Sequence, residues 1–146
     1  MTTSTQPVFV RNGNSVVNAA TGTTLTNNGE FTLLLDSQCK KVVFDNGEGA
    51  NVLFERLKKA LKPNAKYGIK LEDGGFIDAR IISTVFISPK TNNLIVMGLG
   101  EHAIYKFEEK DYADLEGLTE VILEALIDVE KNNKMLTIDW AAYKKL

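Results

Sequence analysis

Residues 67–107 read YGIKLEDGGFIDARIISTVFISPKTNNLIVMGLGEHAIYKF, and the alternation inside this stretch decides the fold class. From Phe76 to Ser88, the side chains of Ile77, Ala79, Ile81, Ser83, Val85 and Ile87 fall on one face of a pleated strand, which should look into a core. The other face carries Asp78 and Arg80, then Ile82, Thr84 and Phe86, so water should cover its beginning and protein its end. Strands usually stop by roughly ten residues, so this run is expected to bend, bulge or be shared between two layers. Upstream, Tyr67, Ile69 and Leu71 alternate on a shorter strand. Glu72-Asp73-Gly74-Gly75 then supplies the positive-φ residues that a tight hairpin needs. Downstream, Pro89-Lys90-Thr91-Asn92-Asn93 makes a second turn. Leu94 to Leu99, a break at Gly100-Glu101-His102, and Ala103 to Phe107 complete an antiparallel meander.

Outward from the meander, two amphipathic helices are expected. The first, about Ala50 to Leu61, puts Ala50, Leu53, Phe54, Leu57 and Leu61 on one stripe. Lys58, Lys59 and Lys62 near its end suit the helix dipole, and Pro63 excludes the α conformation for Lys62. The second, about Leu118 to Lys131, has a buried stripe of Leu115, Leu118, Ile122, Ala125, Leu126 and Val129 that should lie against the meander. Asp111 is the expected cap of a short turn before it, running through Leu115. Phe31–Leu35 and Lys41–Phe44 read as strands, Met135–Ile138 as a short edge strand, and Asp139 as the cap of a last turn holding Trp140 and Tyr143. Residues 1–30 are rich in Thr, Asn, Ser and Gly, with a hairpin expected at Asn12-Gly13. The expected class is α+β: a meander over about 67–107 packed by two helices, a β-rich polar arm over 1–30, and a single domain over 31–146.

At 146 residues the chain is long enough to bury one core without staples. Its one cysteine, Cys39, forbids an intrachain disulfide, and one cysteine with one histidine leaves too few soft ligands for a structural zinc. The start, Met1-Thr2-Thr3-Ser4-Thr5, lacks a basic stretch followed by an apolar one, and no stretch approaches the ~20 apolar residues of a membrane span. A cytoplasmic or particle-assembled protein is expected, neither secreted nor membrane-bound. The net charge of −2 argues against a nucleic-acid binder, and among Lys58, Lys59, Lys62, Lys66 and Lys70 only Tyr67 could stack on a base. The distribution of charge says more than its sum. Residues 1–70 hold 9 Lys+Arg against 5 Asp+Glu, a balance of +4, whereas residues 71–146 hold 8 against 14, a balance of −6. Such halves can face each other within one fold, or meet head to tail between copies.

The candidate chemistry is sparse. Gly98-Leu99-Gly100-Glu101-His102-Ala103 matches a loose dinucleotide pattern, but the fingerprint requires a helix N-terminus after the strand, and Ala103–Phe107 alternates like a strand. His102 beside Glu101 has the makings of an oriented base, with no nucleophile near it in sequence; Cys39 shows no local feature that would lower its pKa. No catalytic residue, metal site or cofactor is assigned. Glu116, Glu120, Glu124 and Asp128 recur every four residues as one acidic stripe, at a cost of about 0.2–0.5 kcal/mol per like-charged pair. The stripe reads either as a solvated face or as a docking strip for lysines such as Lys58, Lys59 and Lys62 of another copy or partner. Trp140 and Tyr143 read either as a lid on their own core or as aromatic anchors for a partner. The polar leader, the opposed halves and the absence of a convergent catalytic group lead to the expectation of a non-enzymatic assembly or interaction protein, such as a subunit of a virion or other particle. The alternative is a small-molecule- or nucleic-acid-binding regulatory module.

Overall fold

Strand twist carries the side chains of a long strand off the layer they began on, and the run from Phe76 to Ser88 breaks accordingly. The computed structural model describes residues 6–27, 31–61, 67–100, 102–132 and 136–145. Its strands are β1 (Phe9–Asn12), β2 (Ser15–Asn18), β3 (Gly22–Thr26), β4 (Thr32–Asp36), β5 (Lys41–Asp45), β6 (Gly68–Lys70), β7 (Phe76–Asp78), β8 (Ile82–Ile87), β9 (Leu94–Gly98) and β10 (Ala103–Phe107). Its α-helices are α1 (Ala50–Ala60), α2 (Leu115–Ile127) and the single turn α3 (Val129–Asn132). Turns of 3-10 helix lie at Ala79–Ile81, Glu109–Asp111 and Trp140–Tyr143.

The chain is α+β, with antiparallel pairing between every pair of neighbouring strands. The meander is shared between two sheets. Its first hairpin, β6–β7, closes one edge of a five-stranded sheet in the order β5-β4-β3-β7-β6, and β8, β9 and β10 form a three-stranded sheet of their own. The 3-10 turn Ala79–Ile81 is the crossing point between them. Gly74 turns the first hairpin with a φ of 93°, a region in which a side chain is strained. Gly75 beside it is needed for space, because a Cβ there would stand 2.5 Å from the carbonyl oxygen of Leu25.

Two cores share the five-stranded sheet. Pairing of Leu25 with both Leu34 and Phe76 sets these three side chains on one face, where they meet Val10 of the β1–β2 hairpin and Leu53, Phe54 and Leu57 of α1. Leu35 and Ile77 point to the other face, where they meet Leu94, Val96 and Ile104 of the smaller sheet and Leu115, Leu118 and Ile122 of α2. The middle strands are thus apolar on both sides, which explains the unbroken run Leu33-Leu34-Leu35. Each buried leucine contributes about 1.5–3 kcal/mol. The helices therefore lie on opposite faces of one sheet.

The N-terminal region is β-rich, but from residue 6 onward it is not an arm apart from a body that begins at residue 31. Strand β3 is the middle strand of the larger sheet, Leu25 is fully buried, and Val10 and Ala19 lie in the core beneath α1. Asn12-Gly13 does turn the expected hairpin, with Asn12 paired to Ser15 and Gly13 at a φ of 61°. Residues 1–5 and 28–30 fall outside the described residues. Three further expectations are corrected. The long helix begins earlier than expected, at Leu115, because Asp114 caps it: the Asp114 carboxylate accepts from the Gly117 amide at 3.0 Å, while Asp111, expected to cap a short turn, instead ends the 3-10 turn Glu109–Asp111. Leu136 makes one parallel bridge to Ile69 in place of an edge strand. Asp78, expected in water, is 1% exposed.

Candidate functional site

Helix α2 presents its acidic side to solvent because its apolar side is taken up by the core. Glu116, Glu120 and Glu124 are exposed, and among the described residues none of them makes an ion pair. Asp128 stands apart from this stripe as the C-terminal cap of α2, 3.6 Å from the Lys131 ammonium. Ile127, the last residue of α2, is 78% exposed. The lysines of α1 are less uniform. Lys59 is exposed, whereas Lys58 is half-buried, 3.0 Å from the Glu55 carboxylate, and donates to the Asp73 carbonyl at 2.9 Å. Lys62 lies outside the described residues. Among the described residues, the remaining exposed cations of the first half are Arg11, Lys40, Lys41, Arg56 and Lys70.

Among the described residues, the ion pairs do not join the two halves of the chain. Lys58 pairs with Glu55 inside the first half; Arg80 with Asp78, Lys106 and Lys110 with Glu108, Lys131 with Asp128, and Lys144 with Glu72 all lie inside the second. Hydrogen bonds from Lys110 and then Lys106 hold the Glu108 carboxyl below the usual carboxylate range. Among the described residues, no lysine or arginine of residues 1–70 reaches a carboxylate of residues 71–146. The two helices in particular cannot pair, since α1 and α2 stand on opposite faces of the five-stranded sheet.

The clefts lined by titratable groups include two beside β10. One, of about 340 Å³, is lined by Glu72, Asp73, Glu108, Asp111, Tyr105 and Tyr112, with Lys144 across it. Burial, and secondarily the Asp73 carboxylate, raises the Tyr105 phenol; burial and then Glu72 push Tyr112 up to about 12. The other, of about 460 Å³, lies between β4 and β10. Its floor is Leu33, Leu35 and Ile104, and Lys40, Lys41 and His102 stand around it with Cys39. Cys39 and His102, far apart in sequence, are thus brought to one cleft. Among the described residues no hydrogen bond joins them, and burial pushes the thiol up, against a smaller lowering by the Leu99 amide. A nucleophilic cysteine requires the opposite shift. No group of three or more His, Cys, Asp or Glu side chains converges as a metal set among the described residues. The dinucleotide-like stretch joins β9 to β10 with Gly100 at a φ of 82°, and no helix follows it.

No protein family, characterised protein or solved structure matches the chain. What it does rests on its own surfaces.

Trp140 is not open to a partner. It is 8% exposed and stacks on Phe107 at 5.4 Å between ring centroids. Tyr143 is half-buried, and its carbonyl accepts from the Ala113 amide at 2.8 Å. Together they lid their own core. No helix among the described residues is long and apolar enough to cross a membrane. Two features escaped the reading of the sequence. Ile127 falls outside the apolar stripe expected of this helix, and its 78% exposure depends on which side of α2 the core takes up. The cleft between β4 and β10 joins segments about sixty residues apart, and a local pattern cannot show it.

Proposed function

We propose that this protein is a non-enzymatic assembly or interaction subunit, working in the cytoplasm or built into a larger particle such as a virion, and that it docks through its two unlike-charged sides. The observation that carries this reading is the segregation of ion pairs. Among the described residues, an excess of cations in the first half and of acids in the second is left unneutralised between the halves, and the sheet keeps the two helices from facing each other. A second copy has no such restriction. Its basic side can meet the acidic face of α2, and a contact between unlike patches repeats from copy to copy. The alternative, a small-molecule- or nucleic-acid-binding regulatory module, has no comparable observation behind it.

Size-exclusion chromatography with light scattering over a salt series tests the reading. Oligomers at low salt should fall toward monomers as salt rises past about 0.15 M, where the screening length shortens to about 8 Å. Glu120→Lys with Glu124→Lys should weaken association while circular dichroism stays unchanged. A monomer at every salt concentration, at tens of micromolar protein, would remove the basis of the proposal. Exposed ion pairs supply only about 0.2–1 kcal/mol each, so a lasting contact also needs an apolar anchor.

A further inference from the structure

Ile127 and the cleft between β4 and β10 have complementary shapes of charge. Ile127 is the most exposed large apolar side chain among the described residues. At 100° per residue, Glu116, Glu120 and Glu124 fall within roughly 60° of it around the helix axis. The acidic stripe of α2 therefore runs straight to an uncovered isoleucine. The cleft is its counterpart: an apolar floor of Leu33, Leu35 and Ile104 beneath the cationic side chains of Lys40 and Lys41, with His102 at the rim. Neither lysine has a carboxylate partner among the described residues, and a cleft of about 460 Å³ is ample for an isoleucine side chain.

The two features cannot meet within one subunit. In the three-stranded sheet, β8 and β10 are the opposite edges. Helix α2 packs beside β8, and the cleft opens beside β10. We infer that the C-terminal end of α2 in one copy docks into the β4–β10 cleft of a second copy, with Ile127 on the leucine floor and Glu120 and Glu124 against Lys40 and Lys41. The occupant is a second copy because one chain carries both halves of the match in charge and in polarity. The contact is heterologous: each copy uses its helix on one neighbour and its cleft on another, so copies add in a row or close into a ring. This inference rests on the charge-docking reading above and names where that docking occurs.

Complementation between two blocked variants tests it. One variant carries Ile127→Ser with Glu124→Lys, which spoils the helix end and leaves the cleft intact. The other carries Lys40→Glu with Lys41→Glu, which spoils the cleft and leaves the helix intact. All four positions are exposed, and circular dichroism checks that each variant folds. Each alone should be monomeric at low salt, with self-association at least roughly tenfold weaker than wild type, and their mixture should give one-to-one heterodimers that go no further. A mixture that stays monomeric overturns the site, as does self-association unchanged by Ile127→Ser alone. Salt-sensitive association that survives both blocks and is abolished by Lys59→Glu would keep the charge-docking reading and overturn this cleft. A wild-type chain that is monomeric at all salt concentrations would overturn both.

Discussion

Asp78 and Arg80 are two residues apart, and removing one is not equivalent to removing the other. The Asp78 side chain is fully buried and the Arg80 side chain 40% exposed. The guanidinium grips the carboxylate from Nε at 3.0 Å and from Nη2 at 2.8 Å, while the Arg80 amide donates to the same carboxylate at 3.0 Å. Arg80 also lies 4.8 Å from the Tyr67 ring centroid. Taking away Asp78 leaves a cation that can turn to water; taking away Arg80 leaves a buried carboxylate with no counter-charge. Arg80→Ala should therefore cost about 3–5 kcal/mol, and Asp78→Ala about 1.5–3 kcal/mol for its charged hydrogen bonds and cap. Urea unfolding measures both, and equal costs would contradict this account. Alternation along Phe76–Ser88 was legible in the sequence because it is local. The burial of Asp78 was not, because it depends on the Arg80 fork and on Thr24, whose hydroxyl accepts from the Asp78 amide across fifty-four residues of chain.

At the scale of elements, the start of α2 shows why spacing alone misplaces a helix boundary. The apolar stripe was read from Leu115, but the helix only from about Leu118, with Leu115 left in a short turn capped by Asp111, although Asp114 stands three residues before Gly117, the spacing at which a side chain reaches the amide. Glycine hid the first turn, since it is a poor helix former. Its role is sterical. A Cβ on Gly117 would collide with the Asp114 carboxylate that caps the helix. Gly117→Ala should thus fail to deliver the usual gain of about 1 kcal/mol for such an exchange, because it displaces a cap worth about 1 kcal/mol. In an Asp114→Ala background the same exchange should stabilise. A double-mutant cycle by thermal or urea unfolding reads the difference as a coupling of about 1 kcal/mol, and additive effects would show that cap and glycine are independent. Helix α1 was legible nearly to the residue, because its stripe, its terminal lysines and Pro63 all agree.

At the scale of the whole molecule, the charge imbalance could be counted from the sequence but its geometry could not. Whether opposed halves cancel or stay apart depends on which faces of the shared sheet they occupy, and β3 settles that by pairing with both β4 and β7. The same sharing couples the two cores. Leu34 and Phe76 serve the core beneath α1, and their sequence neighbours Leu35 and Ile77 serve the core beneath α2, so neither core can come apart while the strands between them remain paired. Leu57, fully buried on α1, lies in one core; Trp140, the one tryptophan of the chain, lies in the other. Leu57→Ala should cost about 2–5 kcal/mol, and the loss should be read in full by the fluorescence of Trp140 although the two side chains belong to different cores. Tryptophan fluorescence and far-ultraviolet circular dichroism should report one coincident transition in urea, as two-state unfolding requires. If the Trp140 signal kept its wild-type midpoint while the helical signal split into two steps, the cores would be separate cooperative units, and the strands they share would not couple them.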